Sequence, residues 1–268
     1  MNKVIAAVDN TAAAQTVMAA GTPIAELFEA TVEAVHVRDG GARTARAAAT
    51  AAGRVLREVD GPVVDALIAE ARRTDVAALV VGARSTPAGR RPAGHVALDI
   101  ITAATKPVAV VPPDPARPSD LGRLLVPLDG TRSTARALEG VIQTACRHDV
   151  DVVVLHVRDE ASLPRFSDQP HHEFDAWERE FMARYCSAPE ARVELRVGVP
   201  APAVVAMAVE AEADVIALGW RQDLAPGRAA VVREVLERST VPVLLVPMEA
   251  RGARASDSPS SRTGTPVA

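Results

Sequence analysis

Aromatic side chains are scarce in this chain: at 3% of 268 residues, they leave the core to Ala, Val, Leu and Ile, which suits helices packed on a Val-rich sheet. Lysine occurs only at Lys3 and Lys106, and the net charge is −4. With no basic field and no stripe of cations interleaved with aromatics, a nucleic-acid partner is not expected. Cys146 and Cys186 are too few for a disulfide framework and no signal peptide precedes the first strand, so a reducing, cytoplasmic home is expected. No apolar run approaches the roughly 20 residues of a membrane span, and no membrane partner is expected.

What the chain does have, it has twice. Val8-Asp9-Asn10-Thr11 returns as Leu128-Asp129-Gly130-Thr131, and Val35-His36-Val37-Arg38-Asp39 as Leu155-His156-Val157-Arg158-Asp159, both offset by 120 positions. Thr74 to Leu79 then matches Ala213 to Leu218, and Lys106 to Pro112 matches Val241 to Pro247. The order is kept, which marks a duplicated domain and not a short-period array. With 48% hydrophobic residues, each copy has enough apolar surface for its own core.

Apolar runs of strand length alternate with helical patterns. In the first copy strands are read at Lys3 to Val8, Val32 to Val37, Val55 to Val59, Ala77 to Val81 and Val108 to Val111. Helices are read at Thr11 to Ala20, Arg43 to Ala52, Pro62 to Arg73 and His95 to Ala104, with Asn10 or Thr11 able to cap the first. That alternation predicts an α/β fold with an open parallel five-stranded sheet flanked by helices in each copy. The expected division is a first copy over 1–113, a Pro-rich linker over 114–121, a second copy over 122–248 and a disordered tail over 249–268. The second copy is longer by nineteen residues within Glu160 to Ser187, where an irregular loop and a longer helix, His171 to Tyr185, are expected.

An Asp closing the first strand, a His-Val ending the second, an Asp-Val-apolar-apolar-Gly strand, a glycine loop and a final Pro-Val-apolar-apolar-Val strand, all twice in order, resemble a tandem universal stress protein. The resemblance covers about residues 3–111 and 122–247. It implies an adenine nucleotide alpha hydrolase-like sheet whose final strands, Val108 to Val111 and Val243 to Val246, pair so that the copies pack as an intramolecular pseudo-dimer. It also implies a stress-response or regulatory role in which some members bind ATP and others do not.

ATP-binding members carry Gly, two residues, Gly, nine residues, then Gly and Ser or Thr, a loop whose amides approach the phosphates at a helix N-terminus. Here Gly82 and Gly94 stand at the first and third glycines, Ser85 replaces the second, His95 replaces the hydroxyl residue, and the spacer is one short. In the second copy Ala229-Ala230 occupies the Gly-Ser position, Trp220 adds bulk beside the phosphate path and Asp223 adds a repelling charge. ATP or AMP, with Mg²⁺, is therefore expected in the first copy alone, between Asp9, Val37 and a loop bringing Gly82, Arg84, Ser85, Gly94, His95 and Val96.

Each of these residues also has a plainer reading. Arg84, Arg90 and Arg91 can neutralise phosphates or simply be solvated; Asp9 and Asp129 can contact adenine or cap the following helix, and capping explains more because the second copy keeps Asp129 after losing its glycine loop. His95 reads as structural. His36 and His156 sit in apolar strands with no ligand-spaced Cys or His and read as core residues. Cys146 reads as a core residue and Cys186 as the more exposed thiol. No catalytic motif is present, so a non-enzyme is expected. The open alternatives are a scaffold that binds a protein partner, through the added helix around Trp177, and a nucleotide hydrolase without a recognisable motif.

Overall fold

The fold was analysed in a computed structural model that describes residues 1–83, 93–115, 120–158, 170–186, 188, 190–225 and 229–248, with residues 170–175 described by backbone alone. The first half runs β1 (Asn2–Ala7), α1 (Ala13–Glu26), β2 (Ala30–Val37), α2 (Arg43–Ala51), β3 (Leu56–Val59), α3 (Val63–Ala71), β4 (Val76–Gly82), α4 (His95–Ala103) and β5 (Val108–Val111). The second runs β6 (Arg123–Pro127), α5 (Arg132–Arg147), β7 (Asp151–Arg158), α6 (Pro170–Tyr185), β8 (Arg192–Val197), α7 (Pro200–Glu210), β9 (Val215–Trp220), α8 (Ala230–Arg238) and β10 (Val243–Pro247).

The strands form one ten-stranded sheet in the order β3-β2-β1-β4-β5-β10-β9-β6-β7-β8. Every neighbouring pair is parallel except the central one, where β5 and β10 run antiparallel with Ala109 opposite Leu244. Those two residues hold the same place in the two copies, so a pseudo-twofold axis passes between them and an edge strand of each half is covered by the other. The exposed edges left over, β3 and β8, carry Arg57, Glu58, Arg192, Glu194 and Arg196, charges that discourage further strand addition.

Alternate residues of each strand feed two cores. Val4, Ala6, Val80, Val126 and Val154 pack beneath α1, α2, α5 and α6, whereas Ile5, Leu79, Leu125, Leu155 and Ile216 pack beneath α3, α4, α7 and α8. The period-two alternation of buried side chains in parallel strands covered on both faces follows from the pleat.

Helix α1 continues to Glu26, past the expected end at Ala20, with Pro23 inside it. Burial of Ile24, Ala25 and Leu27 outweighs the cost of the missing amide. Gly21 lets that helix lie close to β2, since a Cβ there would sit 3.1 Å from Val32 Cγ1. Asn10 does not cap α1; its side-chain oxygen accepts from Thr44 N at 2.7 Å, capping α2 from a distant loop, while Thr11 Oγ1 accepts from Ala13 N.

An ion network closes the opposite edge of the first half. Glu33 binds Lys3, Arg57 and Arg73, and Arg57 and Arg73 bind Glu70. Burial pushes the Glu33 carboxyl up, but the hydrogen bonds from Lys3, Arg73 and Arg57 win and hold it at about 2. The cysteines are the reverse of the expectation: Cys186 is buried, with Sγ directed at Ala188 O, and Cys146 is half-buried. Burial raises both thiols above their ordinary range, because a thiolate there would lose its hydration.

Candidate ligand site

In each half the chain reverses direction across the sheet between the first and fourth strands, at β1/β4 and β6/β9. Open α/β sheets place ligands in the crevice at such switch points, beyond the strand C-termini. In the second half that crevice is a cavity of about 760 Å³. Its floor is the ends of β6, β7 and β9, contributing Leu128, Leu155, Val157 and Leu218; α7 contributes Pro200 and Val204, and the first turn of α8 closes a side with Ala229 to Val232. The volume falls within the range of small-molecule pockets, roughly 300–1,000 Å³.

The local geometry of the floor is dictated by its sequence. Asp129 Oδ1 accepts from Thr131 N at 3.0 Å and from Thr131 Oγ1 at 2.8 Å, and Thr131 in turn caps α5 by accepting from Thr134 N. Gly130 holds φ +74°, a left-handed conformation that costs glycine nothing. Gly219 sits in tight quarters: a Cβ there would lie 3.0 Å from Thr134 Cγ2 and 3.2 Å from Met248 Sδ, so those side chains would have to shift to admit it. Thr134 Oγ1 pairs with Thr131 Oγ1 at 3.0 Å and donates to Met248 Sδ at 3.4 Å, so that hydroxyl is already engaged.

Trp220, whose bulk the sequence sets beside the phosphate path, borders the cavity with its side chain 2% exposed, and Nε1 donates to Ile101 O of the first half at 3.0 Å. Two residues on, Gln222 adopts φ +59° and its side-chain nitrogen donates to Thr102 O and Ala104 O. Ile101 and Thr102 lie in the last turn of α4, whose carbonyls have no partner within the helix. The strand end that borders the second-half cavity therefore caps a first-half helix.

The first half presents the related set in a different state. Asp9 Oδ1 accepts from Thr11 N at 3.1 Å and Thr11 Oγ1 at 2.6 Å, which braces the turn before α1; the helix itself has Ala12 at its N-cap and no side-chain cap, so Asp9 is not its cap. Val37 is buried at the end of β2. Gly82 closes β4 beside Val111, Ala83 N donates to Val111 O, and Gly94 N donates to Ala83 O at 2.7 Å. Gly94, in an extended conformation, precedes α4, and His95 and Val96 are exposed in its first turn. Asp9 and Gly82 thus follow the paired ends of β1 and β4, with Gly94 bonded to Ala83; Arg84, Ser85, Arg90 and Arg91 lie outside the described residues.

Both strand histidines lie against backbone carbonyls. His36 is buried, with Nδ1 2.8 Å from Val8 O and Nε2 3.0 Å from Gly41 O. His156 places Nδ1 2.8 Å from Leu128 O and stacks on Trp177 and Phe181, ring centroids 5.3 and 4.8 Å away. Unlike His36, it is only half-buried. Both rings fasten the loop after the first strand of their half. Among the described residues no group of three His, Cys, Asp or Glu is placed to hold a metal, and no helix is long and apolar enough to cross a membrane.

The contributions of Pro200, Val204 and Met248 to the cavity, and the capping of α4 by Trp220 and Gln222, have no signal in the glycine-loop motif. The duplicated strand pattern could have located the switch point, but the helix walls come from residues far away in sequence.

Among the solved structures that share this fold, three align over 92% of the chain. A Pseudomonas aeruginosa protein described as functionally unknown superposes with a TM-score of 0.69 at 14% identity, covering 92% of this chain and 93% of its own. A putative universal stress protein from Pseudomonas aeruginosa gives 0.68 at 15% identity, covering 92% and 94%. A universal stress protein from Archaeoglobus fulgidus gives 0.66 at 17%, covering 92% and 98%. No curated protein matches the sequence. The universal stress protein family matches residues 40–112 and again 121–247, and this chain, with two such domains in tandem, belongs to that family.

Proposed function

We propose that the chain is a non-catalytic, ligand-sensing stress-response module of the cytoplasm, and that its sensing site is the cavity of the second half. The observation that carries this reading is a volume of about 760 Å³ at the β6/β9 switch point, where ligand sites of open α/β sheets form. A sensing role is favoured over catalysis by the state of the polar groups in the lining. Asp129 and Asp223 are each tied to their own turns, and the Thr134 hydroxyl is engaged, so among the described residues of the lining no nucleophile is paired with a base. A partner protein reads the ligand through the change it makes in the loop after β9 and in α4, which that loop caps.

A second reading is favoured by one observation in the first half. Asp9 and Gly82 follow the paired ends of β1 and β4, Gly94 is bonded to Ala83 and opens α4 with backbone alone, and this supports adenine nucleotide with Mg²⁺ held by the set that also includes Val37, Arg84, Ser85, His95 and Val96. Thermal-shift titration with ATP and Mg²⁺ separates the readings, because a ligand at 100 times its dissociation constant adds about 2.7 kcal/mol. A saturating rise abolished by Gly94→Trp but kept by Ala230→Trp places a nucleotide in the first half. A rise abolished only by Ala230→Trp places it in the second-half cavity. No rise with ATP or with any uncharged ligand leaves a protein-binding scaffold, and release of phosphate from ATP in the same samples would contradict the non-catalytic reading.

A further inference from the structure

The two strand histidines hold the same place in the two copies and are held differently. In the second half His156 Nδ1 lies 2.8 Å from Leu128 O, a carbonyl that can only accept, so this nitrogen carries a proton. Nε2 has no hydrogen-bond partner among the described residues, and the ring stacks on Trp177 and Phe181. A singly protonated ring satisfies that site. His36, 1% exposed, faces two acceptors: Nδ1 lies 2.8 Å from Val8 O and Nε2 3.0 Å from Gly41 O. A neutral imidazole has one N–H, so it bonds one carbonyl and turns a lone pair toward the other. In a buried site that arrangement is costly. The doubly protonated ring donates to both.

Burial opposes a cation, but the charges around His36 offset that. Asp39 Oδ1 lies 3.5 Å from Nε2, and Asp9 follows Val8 at the end of β1. On β3 the register partner of His36 is Glu58, shared by Arg38 and by Arg46 of α2, and Arg38 also binds Asp60. Helix α2 adds the exposed Arg43 at its start, and α1 brings Glu26 alone, at its far end. Near the ring the carboxylates Asp9, Asp39, Glu58 and Asp60 outnumber the guanidiniums of Arg38, Arg43 and Arg46.

The Nε2 bond acts on one short segment. Residues 39–42 cross from β2 to α2, and Gly40 turns there with φ +113°, a conformation open to glycine. Gly41 lies beside Asn10, a Cβ on it being 3.5 Å from Asn10 Nδ2, and the Asn10 side-chain oxygen accepts from Thr44 N at the start of α2. This strap fastens α2 to the loop after β1, which borders the β1/β4 crevice.

We infer that His36 is a proton-operated latch: its ring carries two protons while strap 39–42 is closed on the end of β1, and loss of the Nε2 proton to solvent base releases Gly41 and loosens that edge of the first-half crevice. His156, with no second acceptor, is not a latch. The device works whichever half takes the ligand.

The test is NMR of the full-length ¹⁵N-labelled protein, with histidine ring signals assigned through the backbone. Near neutral pH His36 should show both ring nitrogens protonated, and His156 one protonated and one bare. As pH is raised, loss of the second His36 proton should shift the Ala42 backbone nitrogen, which shares a peptide bond with the Gly41 carbonyl, at the same midpoint. The amides of Gly40 and Gly41 should lose order in ¹⁵N relaxation over the same step. Asp39→Asn, a change at an exposed position, should make that proton roughly threefold more acidic, the size of a surface pair, and move both midpoints together. A bare nitrogen on His36 near neutral pH would overturn the double protonation and the latch with it. Two protons whose loss leaves the Ala42 nitrogen and the order of Gly40 and Gly41 unchanged would overturn the latch.

Discussion

Replacing Trp220 by Phe tests how the two halves are held together. The substitution keeps most of the buried ring but removes the N–H that satisfies Ile101 O, 3.0 Å away. Ile101 lies in the last turn of α4, where carbonyls lack intrahelical partners, and its side chain is 1% exposed. A buried acceptor left without its donor costs about 1–3 kcal/mol, and the space vacated by the smaller ring adds about 1 kcal/mol. The expected loss is therefore about 2–4 kcal/mol. In a chain of this size each kcal/mol lowers the melting temperature by roughly 2–4 °C, so a fall of roughly 4–16 °C is expected. Because β5 and β10 join the halves into one sheet, urea unfolding followed by tryptophan fluorescence and by circular dichroism should give coincident curves in the parent. The variant should shift the midpoint and, if α4 loosens as one unit with the interface, separate the two probes. A Trp220→Phe protein within about 0.5 kcal/mol of the parent would refute the assignment of this bond as a tie between halves.

Two further outcomes follow from the geometry. Glu33 is held at about 2 in the folded chain by Lys3, Arg73 and Arg57 against a burial penalty, while its unfolded value stays in the ordinary carboxylate range near 4.3. Its stabilising contribution is therefore complete above that range and is lost as pH falls toward 2, so Glu33→Gln should lower the urea midpoint at pH 7 and converge on the parent in acid; equal destabilisation at both pH values would contradict the ion network. Gly219→Ala should cost about 1–3 kcal/mol by overpacking, since the new Cβ would sit 3.0 Å from Thr134 Cγ2, and the double variant with Thr134→Ser should recover part of that loss in thermal melts.

The strands were legible in the sequence because parallel strands buried on both faces write themselves as continuous Val, Leu and Ala runs, as in Val76–Gly82 and Val243–Pro247. Pairing of the final strands followed from the resemblance and from their apolar character. The ends of α1 were not legible: Gly21 and Pro23 are breakers by local propensity, and only packing of Ile24 and Leu27 against the sheet overrides them. Cys186 looked exposed beside Ser187 and Pro189, yet it belongs to the core beneath α6. Asp9 and Asp129 accept from the amides of Thr11 and Thr131 as the plain reading held, but they brace the turn and do not cap: α1 has Ala12 at its N-cap and no side-chain cap, and α5 is capped by Thr131. The cavity was the least legible feature. A loop motif reports on phosphate binding, whereas the walls here come from Pro200 and Val204 of α7 and from Trp220, whose partner lies 119 positions away.

The central claim, that ligand enters the second-half cavity, is tested most directly by the emission of Trp220 itself. In a Trp177→Phe background Trp220 is the only tryptophan, and it is 2% exposed on the cavity wall. Titration of that protein with N-phenyl-1-naphthylamine should quench Trp220 with the same dissociation constant that the dye's own fluorescence reports, and Ala230→Trp, scored by dye fluorescence alone, should remove that binding. Saturable dye binding that leaves Trp220 emission unchanged would place the ligand elsewhere and contradict the account.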